Sequence, residues 1–183
     1  MIEPANTFSE NEMRRAGIVA GLLFCFSAHA QEAITTPERM DGAWVALHHS
    51  SDGGEHVDAC ILKASGPTLQ FRATGKELSI QVADESASSG QSLPVTLTAG
   101  SFTRTFPMTS AETGALSAPV ESDSLLDTLE AFKKAPTLTI RIGSTDSDPI
   151  PLEGSSRTLD AFVSCMKTHE FGGSKKSGNK GRH

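Results

Sequence analysis

The sequence predicts a mainly β (α+β) domain: an antiparallel β sandwich or curled sheet with one or two C-terminal helices packed on it. Three observations lead there. Apolar and polar residues alternate from Trp44 to Phe106, in short runs broken by Gly, Ser, Asp and Thr, the pattern of half-buried strands joined by tight turns. The apolar spacing then lengthens to three and four residues over Leu125–Phe132 and again over Leu159–Met166, the period of an amphipathic helix. Finally, the 183 residues contain no internal repeat and no linker long enough to separate two cores, so one domain with terminal extensions is expected.

The elements follow in order. Trp44 with Ala46 and Val45 with Leu47 start a strand, Ser50-Ser51-Asp52-Gly53-Gly54 turns the chain, and Val57–Lys63 returns it. Residues 43–63 therefore read as a hairpin. Leu69 and Phe71, then Leu78, Ile80 and Val82, form a second pair around Thr74-Gly75-Lys76. Asp84–Gln91 is rich in serine and reads as a loop. Val95 and Leu97, then Phe102 and Phe106, form a third pair around Ala99-Gly100-Ser101. Ser124–Lys134 reads as a helix with Leu125, Leu129 and Phe132 on one face, and Ser124 with Asp127 as its capping box. Leu138, Ile140 and Ile142 alternate along a strand over Thr137–Ile142, with Ile150–Glu153 as a short strand beside it. Gly154-Ser155-Ser156 then opens a helix with Leu159, Phe162, Val163 and Met166 at i, i+3, i+4 and i+7, and Cys165 in its last turn.

The N-terminal stretch reads as an address. Arg14 and Arg15 precede an apolar run from Ala16 to Phe26 that closes on Ala28-His29-Ala30, the charge, apolar segment and small-x-small order of a secretory signal peptide. The run is shorter than the roughly 20 apolar residues of a spanning helix. An N-terminal anchor or buried helix is the alternative. Cleavage is expected between Ala30 and Gln31. The polar, acidic residues before Met13 are unusual ahead of a positive region, which makes residues 1–12 a candidate mis-called start. A lipoprotein reading at Cys25 suits the sequence less, because bulky Phe24 precedes the cysteine.

Loss of residues 1–30 leaves Cys60 and Cys165. Two cysteines in an exported chain imply one disulfide, and two separate free thiols are the alternative. The bond would close a loop of ~100 residues, worth up to ~4–5 kcal/mol in the chain-entropy account. From Gln31 to Met166 there are nine Lys/Arg against eighteen Asp/Glu, a net of −9; from Lys167 to His183 there are five against one, a net of +4. The last stretch is nearly devoid of apolar side chains and reads as a disordered basic tail. Such a tail suits either contact with an anionic surface or simple solvation, and no nucleic-acid partner is expected. The resulting division is a signal peptide over 1–30, a β-rich domain over 31–166 and a tail over 167–183, with no spanning segment after cleavage.

Chemistry-bearing motifs are sparse. GxSxG, HExxH, GxGxxG and the P-loop are absent, and with them the local signatures of the commonest hydrolase, zinc-protease and nucleotide sites. Ser164 and Lys167 have the SxxK spacing without its companion motifs. The densest polar cluster runs from His48 and His49 through Asp52 and Glu55 to His56, with Asp58 just after. Adjacent histidines on a strand face opposite ways, so one of His48 and His49 at most can join His56 across the hairpin. With Asp52 or Glu55 it would make an open, weak Zn²⁺ or Cu²⁺ site; a solvated hairpin tip is the plainer alternative. Trp44, the sole Trp, reads as core. Asp146, Asp148 and Glu153 surround a turn without the spacing of a calcium loop. No cofactor is expected.

The stretches Ser124–Lys134, Thr137–Ile142 and Ile150–Cys165, notably Pro151-Leu152-Glu153-Gly154-Ser155-Ser156-Arg157-Thr158-Leu159, resemble the C-terminal half of the bacterial invasion-associated locus B group. The signal sequence and the early Trp strand resemble that group more loosely, and the additional mid-chain cysteine pair such proteins often carry has no counterpart here. The resemblance implies an exported, non-catalytic β-rich protein of the Gram-negative periplasm or outer envelope, sometimes linked to host interaction. The expected function is thus an envelope binding or interaction protein with a protein partner, periplasmic or secreted. The alternatives are a periplasmic inhibitor or immunity protein and a periplasmic enzyme whose site residues are scattered along the chain.

Overall fold

The computed structural model describes residues 32–64 and 69–172. The expected signal peptide with its Ala30–Gln31 cleavage point, and the tail beyond Gly172, lie outside the described residues. Among the described residues eleven strands and two helices follow one another: β1 (Ile34–Asp41), β2 (Trp44–Ser50), β3 (Ala59–Ala64), β4 (Leu69–Thr74), β5 (Leu78–Ala83), β6 (Ser92–Ala99), β7 (Phe102–Thr109), β8 (Ala115–Pro119), α1 (Ser122–Lys134), β9 (Thr137–Ile142), β10 (Thr145–Asp146), β11 (Ile150–Pro151) and α2 (Ser156–Thr168). The mainly β (α+β) class expected from periodicity is the one formed.

The described strands join one antiparallel sheet in the order β1-β2-β3-β4-β5-β8-β7-β6-β9-β10, with β11 pairing the start of β9 (Ile150 with Leu138, Pro151 with Thr137) as β10 pairs its end. The three predicted hairpins are β2–β3, β4–β5 and β6–β7. β8 enters between the last two by pairing with β5 and, through Thr109 and Ser117, with β7. The sheet is unclosed, yet its two ends approach each other: the Trp44 indole Nε1 of β2 donates to the carbonyl of Pro151 in β11 at 3.0 Å. Gly42, between β1 and β2, has φ +58° and runs so close to Glu153 that a Cβ would stand 2.9 Å from its carbonyl oxygen. Only glycine satisfies both demands.

One face of each central strand is buried. Trp44, Leu62, Phe71, Ile80, Val82, Leu97, Met108, Leu116 and Ile140 belong to a single core with the buried faces of both helices. Phe132 of α1 packs between Trp44 and Phe71, with ring centroids 5.9 and 6.1 Å away. α2 lies across β1, β2 and β3 and buries Thr158, Leu159, Phe162, Cys165 and Met166. Cys60 of β3 and Cys165 of α2 are disulfide-bonded, Cα to Cα 6.0 Å. Lys133 binds Glu130 on its own helix and Asp160 on α2, each at 2.6 Å.

Four sequence expectations change. Ser124 does not cap α1: the helix begins two residues earlier, after Glu121. Ser124 instead takes Arg104 Nη1 on both its hydroxyl and its carbonyl. Val163 is only partly buried, and Cys165 occupies the core-facing position instead. Lys167–Gly172 is structured, so the expected tail boundary at 167 falls too early. α2 continues to Thr168, Glu170 turns at φ 56°, and the amides of Glu170 and Phe171 return to the carbonyls of Lys167 and Met166. That is a Schellman closure, and it seats Phe171 partly buried against the core. Finally, β1, β8 and β10 are strands the periodicity does not announce.

Candidate functional site

The β2–β3 connection holds the polar cluster, and a buried serine organises it. Ser50, the last residue of β2, is fully buried. Its Oγ donates to Asp52 Oδ1 at 2.6 Å and accepts from the amide of Gly54 at 2.8 Å. Asp52 Oδ1 also receives the amide of His56 at 2.9 Å, and Asp52 Oδ2 receives His56 Nδ1 at 2.5 Å. On the far side, Asp58 accepts from the amide of Ser51 at 2.6 Å and from its hydroxyl at 2.5 Å. Five consecutive residues are thereby folded back on one carboxylate.

Electrostatics follow from those bonds. The Ser50 hydroxyl, then the His56 amide and ring, hold the Asp52 carboxyl well below the usual carboxylate range. The hydrogen bond to Asp52, reinforced by its charge, raises His56 above the ordinary imidazole value. Ser51 lowers Asp58 in the same way. The His56 side chain is 79% exposed, so these are solvent-facing interactions.

The structure separates the histidines that the sequence pattern groups together. His48 and His49 pair in register with Cys60 and Ala59, but both rings turn to the neighbouring strand β1. His48 Nδ1 donates to Glu38 Oε1 at 3.1 Å, and His49 Nδ1 lies 3.0 Å from Thr35 Oγ1. Neither joins His56. Among the described residues, the one group of three or more His, Cys, Asp or Glu with ligand atoms mutually within 4.8 Å is Asp52, Glu55 and His56. The expected pairing of His48 or His49 with His56 is therefore replaced by a group within a single turn.

The other singled-out residues are structural or dispersed. Trp44 is 1% exposed, as expected of core. Ser164 and Lys167 both face solvent on α2. Asp146 is held by Arg141 through two hydrogen bonds. A cleft of about 420 Å³ opens between α1 and the β6–β7 turn, lined by Arg104, Asp127, Glu130 and Lys134 among smaller residues. Its charges are largely committed internally: Arg104 to Ser124 and, at 3.9 Å, to Asp127, and Glu130 to Lys133. The edge strand β1 carries Ile34 and Met40, the large apolar side chains exposed among the described residues. Pro37, a bulge between Pro37 and Arg39, and the charged Glu38, Arg39 and Asp41 interrupt that edge, devices that blunt strand-to-strand aggregation.

Among the described residues, no helix is long and apolar enough to cross a membrane. No family model, no curated protein and no solved structure matches the chain.

Proposed function

We propose that this chain is an exported, non-catalytic binding protein of the bacterial cell envelope, of the invasion-associated locus B kind, acting through surface contact with a protein partner. The observation that carries the reading is the buried Cys60–Cys165 bond. It clamps the last helix to the sheet, and such bonds persist in oxidising compartments. The basic and apolar order of residues 13–30 supports the same route. The polar, internally paired surface features support contact rather than turnover, with the α1 cleft and the β2–β3 tip as the places where a partner would meet fixed charges.

Fractionation of cells expressing the full chain tests the proposal. Expected are a mature form beginning at Gln31, recovery from the periplasm or medium in oxidised form, and a stoichiometric partner in a crosslinked pull-down from that fraction. Recovery as an uncleaved, reduced cytosolic protein overturns export. Turnover of a substrate by the purified mature protein, abolished by substitution of particular side chains, overturns the non-catalytic reading.

A further inference from the structure

We propose that Asp52, Glu55 and His56 form an open divalent-cation site on the β2–β3 tip, of the type that takes Zn²⁺ or Cu²⁺. The donor set is one imidazole and two carboxylates with ligand atoms within 4.8 Å of one another. Ligands of a tetrahedral zinc, each about 2.1 Å from the ion, stand about 3.4 Å apart. The group is thus within side-chain adjustment of that spacing before any ion arrives. One neutral imidazole and two carboxylates also match the charge of a divalent ion. The imidazole favours zinc or copper over calcium and magnesium, which prefer all-oxygen shells.

Three features separate this turn from an ordinary acidic loop. First, it contains an imidazole whose Nδ1–H is directed at a carboxylate oxygen, Asp52 Oδ2. A metal entering between them takes Nδ1 in the proton's place: a neutral ring then carries its one proton on Nε2, and only a ring protonated on both nitrogens gives a proton to solvent. Second, the other oxygen, Asp52 Oδ1, is anchored by Ser50 Oγ and the His56 amide. That is the outer-shell anchoring that orients a ligating carboxylate, and it leaves Oδ2 as the ligand. Third, the anchor itself is buried in the domain, so the turn is set by the fold rather than ordered at metal binding. Three protein donors leave a fourth position for water, the arrangement of an exchangeable site. His48 and His49 are excluded as ligands because Glu38 and Thr35 hold their rings toward β1.

The proposal stands apart from export and partner binding, and its test needs neither. Zn²⁺ is titrated into the full chain at pH 7.5 and the histidine ring signals are followed by NMR, with calorimetry for stoichiometry. The expected result is a saturable shift of His56, with His48 and His49 nearly unmoved. Affinity falls as pH drops, because the proton competes for Nδ1. His56→Gln and Glu55→Gln should each weaken binding at least tenfold, while His48→Ala leaves it unchanged. Glu55→Gln keeps the Asp52–His56 bond and the Ser50 anchor, and an unchanged thermal midpoint of the metal-free variant shows that its weakened binding is not lost turn structure. An unmoved His56 at 1 mM Zn²⁺, or binding that survives His56→Gln because it resides at histidines elsewhere in the chain, overturns the site.

Discussion

Removing the Cys60–Cys165 bond is the perturbation whose size the structure sets most directly. The two residues are 105 apart in sequence, and closing a loop of that order restricts the unfolded chain by about 4.7 kcal/mol in the entropy account. Alanine is the right replacement: Cys60 is fully buried and Cys165 is 4% exposed, so serine would add a buried hydroxyl to the cost. The helix should stay docked in Cys60→Ala/Cys165→Ala, because Leu159, Phe162 and Met166 still face the core. On its own, α2, with 13 residues, is at the length where an isolated helix is marginal in water, so the lost tether is felt across the domain. A change of that size corresponds to about 10–20 °C in Tm for a domain of this length. Thermal and denaturant unfolding of wild type, both single variants and the double variant are the assay. Each single should match the double closely, because either one removes the same covalent constraint. A double variant within about 1 kcal/mol of wild type, or single effects that add, refutes the reasoning. So do two alkylatable thiols in the unreduced, unfolded chain.

Glu170→Gly should stabilise the protein by about 0.5–1 kcal/mol in chemical denaturation, because an L side chain at φ 56° carries a left-handed penalty that glycine lacks, offset in part by the freer unfolded chain; a loss instead would mean the side chain supports the α2 terminus. Phe132→Ala should cost about 3–5 kcal/mol, since its ring is fully buried between Trp44 and Phe71, and a cost under 1 kcal/mol would place that ring outside the core. In metal-free solution, NMR should find His56 titrating above 6.5 and returning toward it in Asp52→Asn. A raised imidazole contributes in full below 6.5 and fades as pH rises through its folded value, and a lowered carboxyl contributes above 3.8 and fades as pH falls; Asp52→Asn should therefore destabilise most between pH 3.8 and 6.5. A penalty that does not vary with pH would make Asp52 a neutral hydrogen-bond acceptor only.

What was legible in the sequence was whatever the core dictates. β4 and β5 each bury every second residue, and that alternation is visible directly in Leu69-Gln-Phe-Arg-Ala and Leu78-Ser-Ile-Gln-Val. α1 and α2 show their buried stripes in the same way, and Cys165 completes the stripe of α2. The edge elements were not legible. β1 reads ITTPERMD, with five of its eight positions exposed, because an edge strand with a solvated outer side needs no apolar alternation. β8 is a short Ala-Leu-Ser-Ala-Pro segment; pairing with β5 makes it a strand where its own propensity does not.

The misplaced histidines and the missed strand have a single cause. Without β1, β2 looks like an outer strand, and the natural partner for His48 or His49 is His56 across the turn. With β1 present, β2 has neighbours on both sides. His48 and His49 still point to opposite faces, as adjacent residues must, and β1 supplies a partner on each face: Glu38 for His48 and Thr35 for His49. The tip must then satisfy its polar groups from within, which it does through Ser50 and Asp52. The concentration of donors in one five-residue turn is thus a consequence of sheet topology. Loss of β1 pairing, for example in Thr35→Pro, should release His49 toward the tip and bring its ring signal into the Zn²⁺ response now expected of His56 alone. A His49 signal indifferent to zinc in that variant would show that register, and not β1, keeps the two histidines apart.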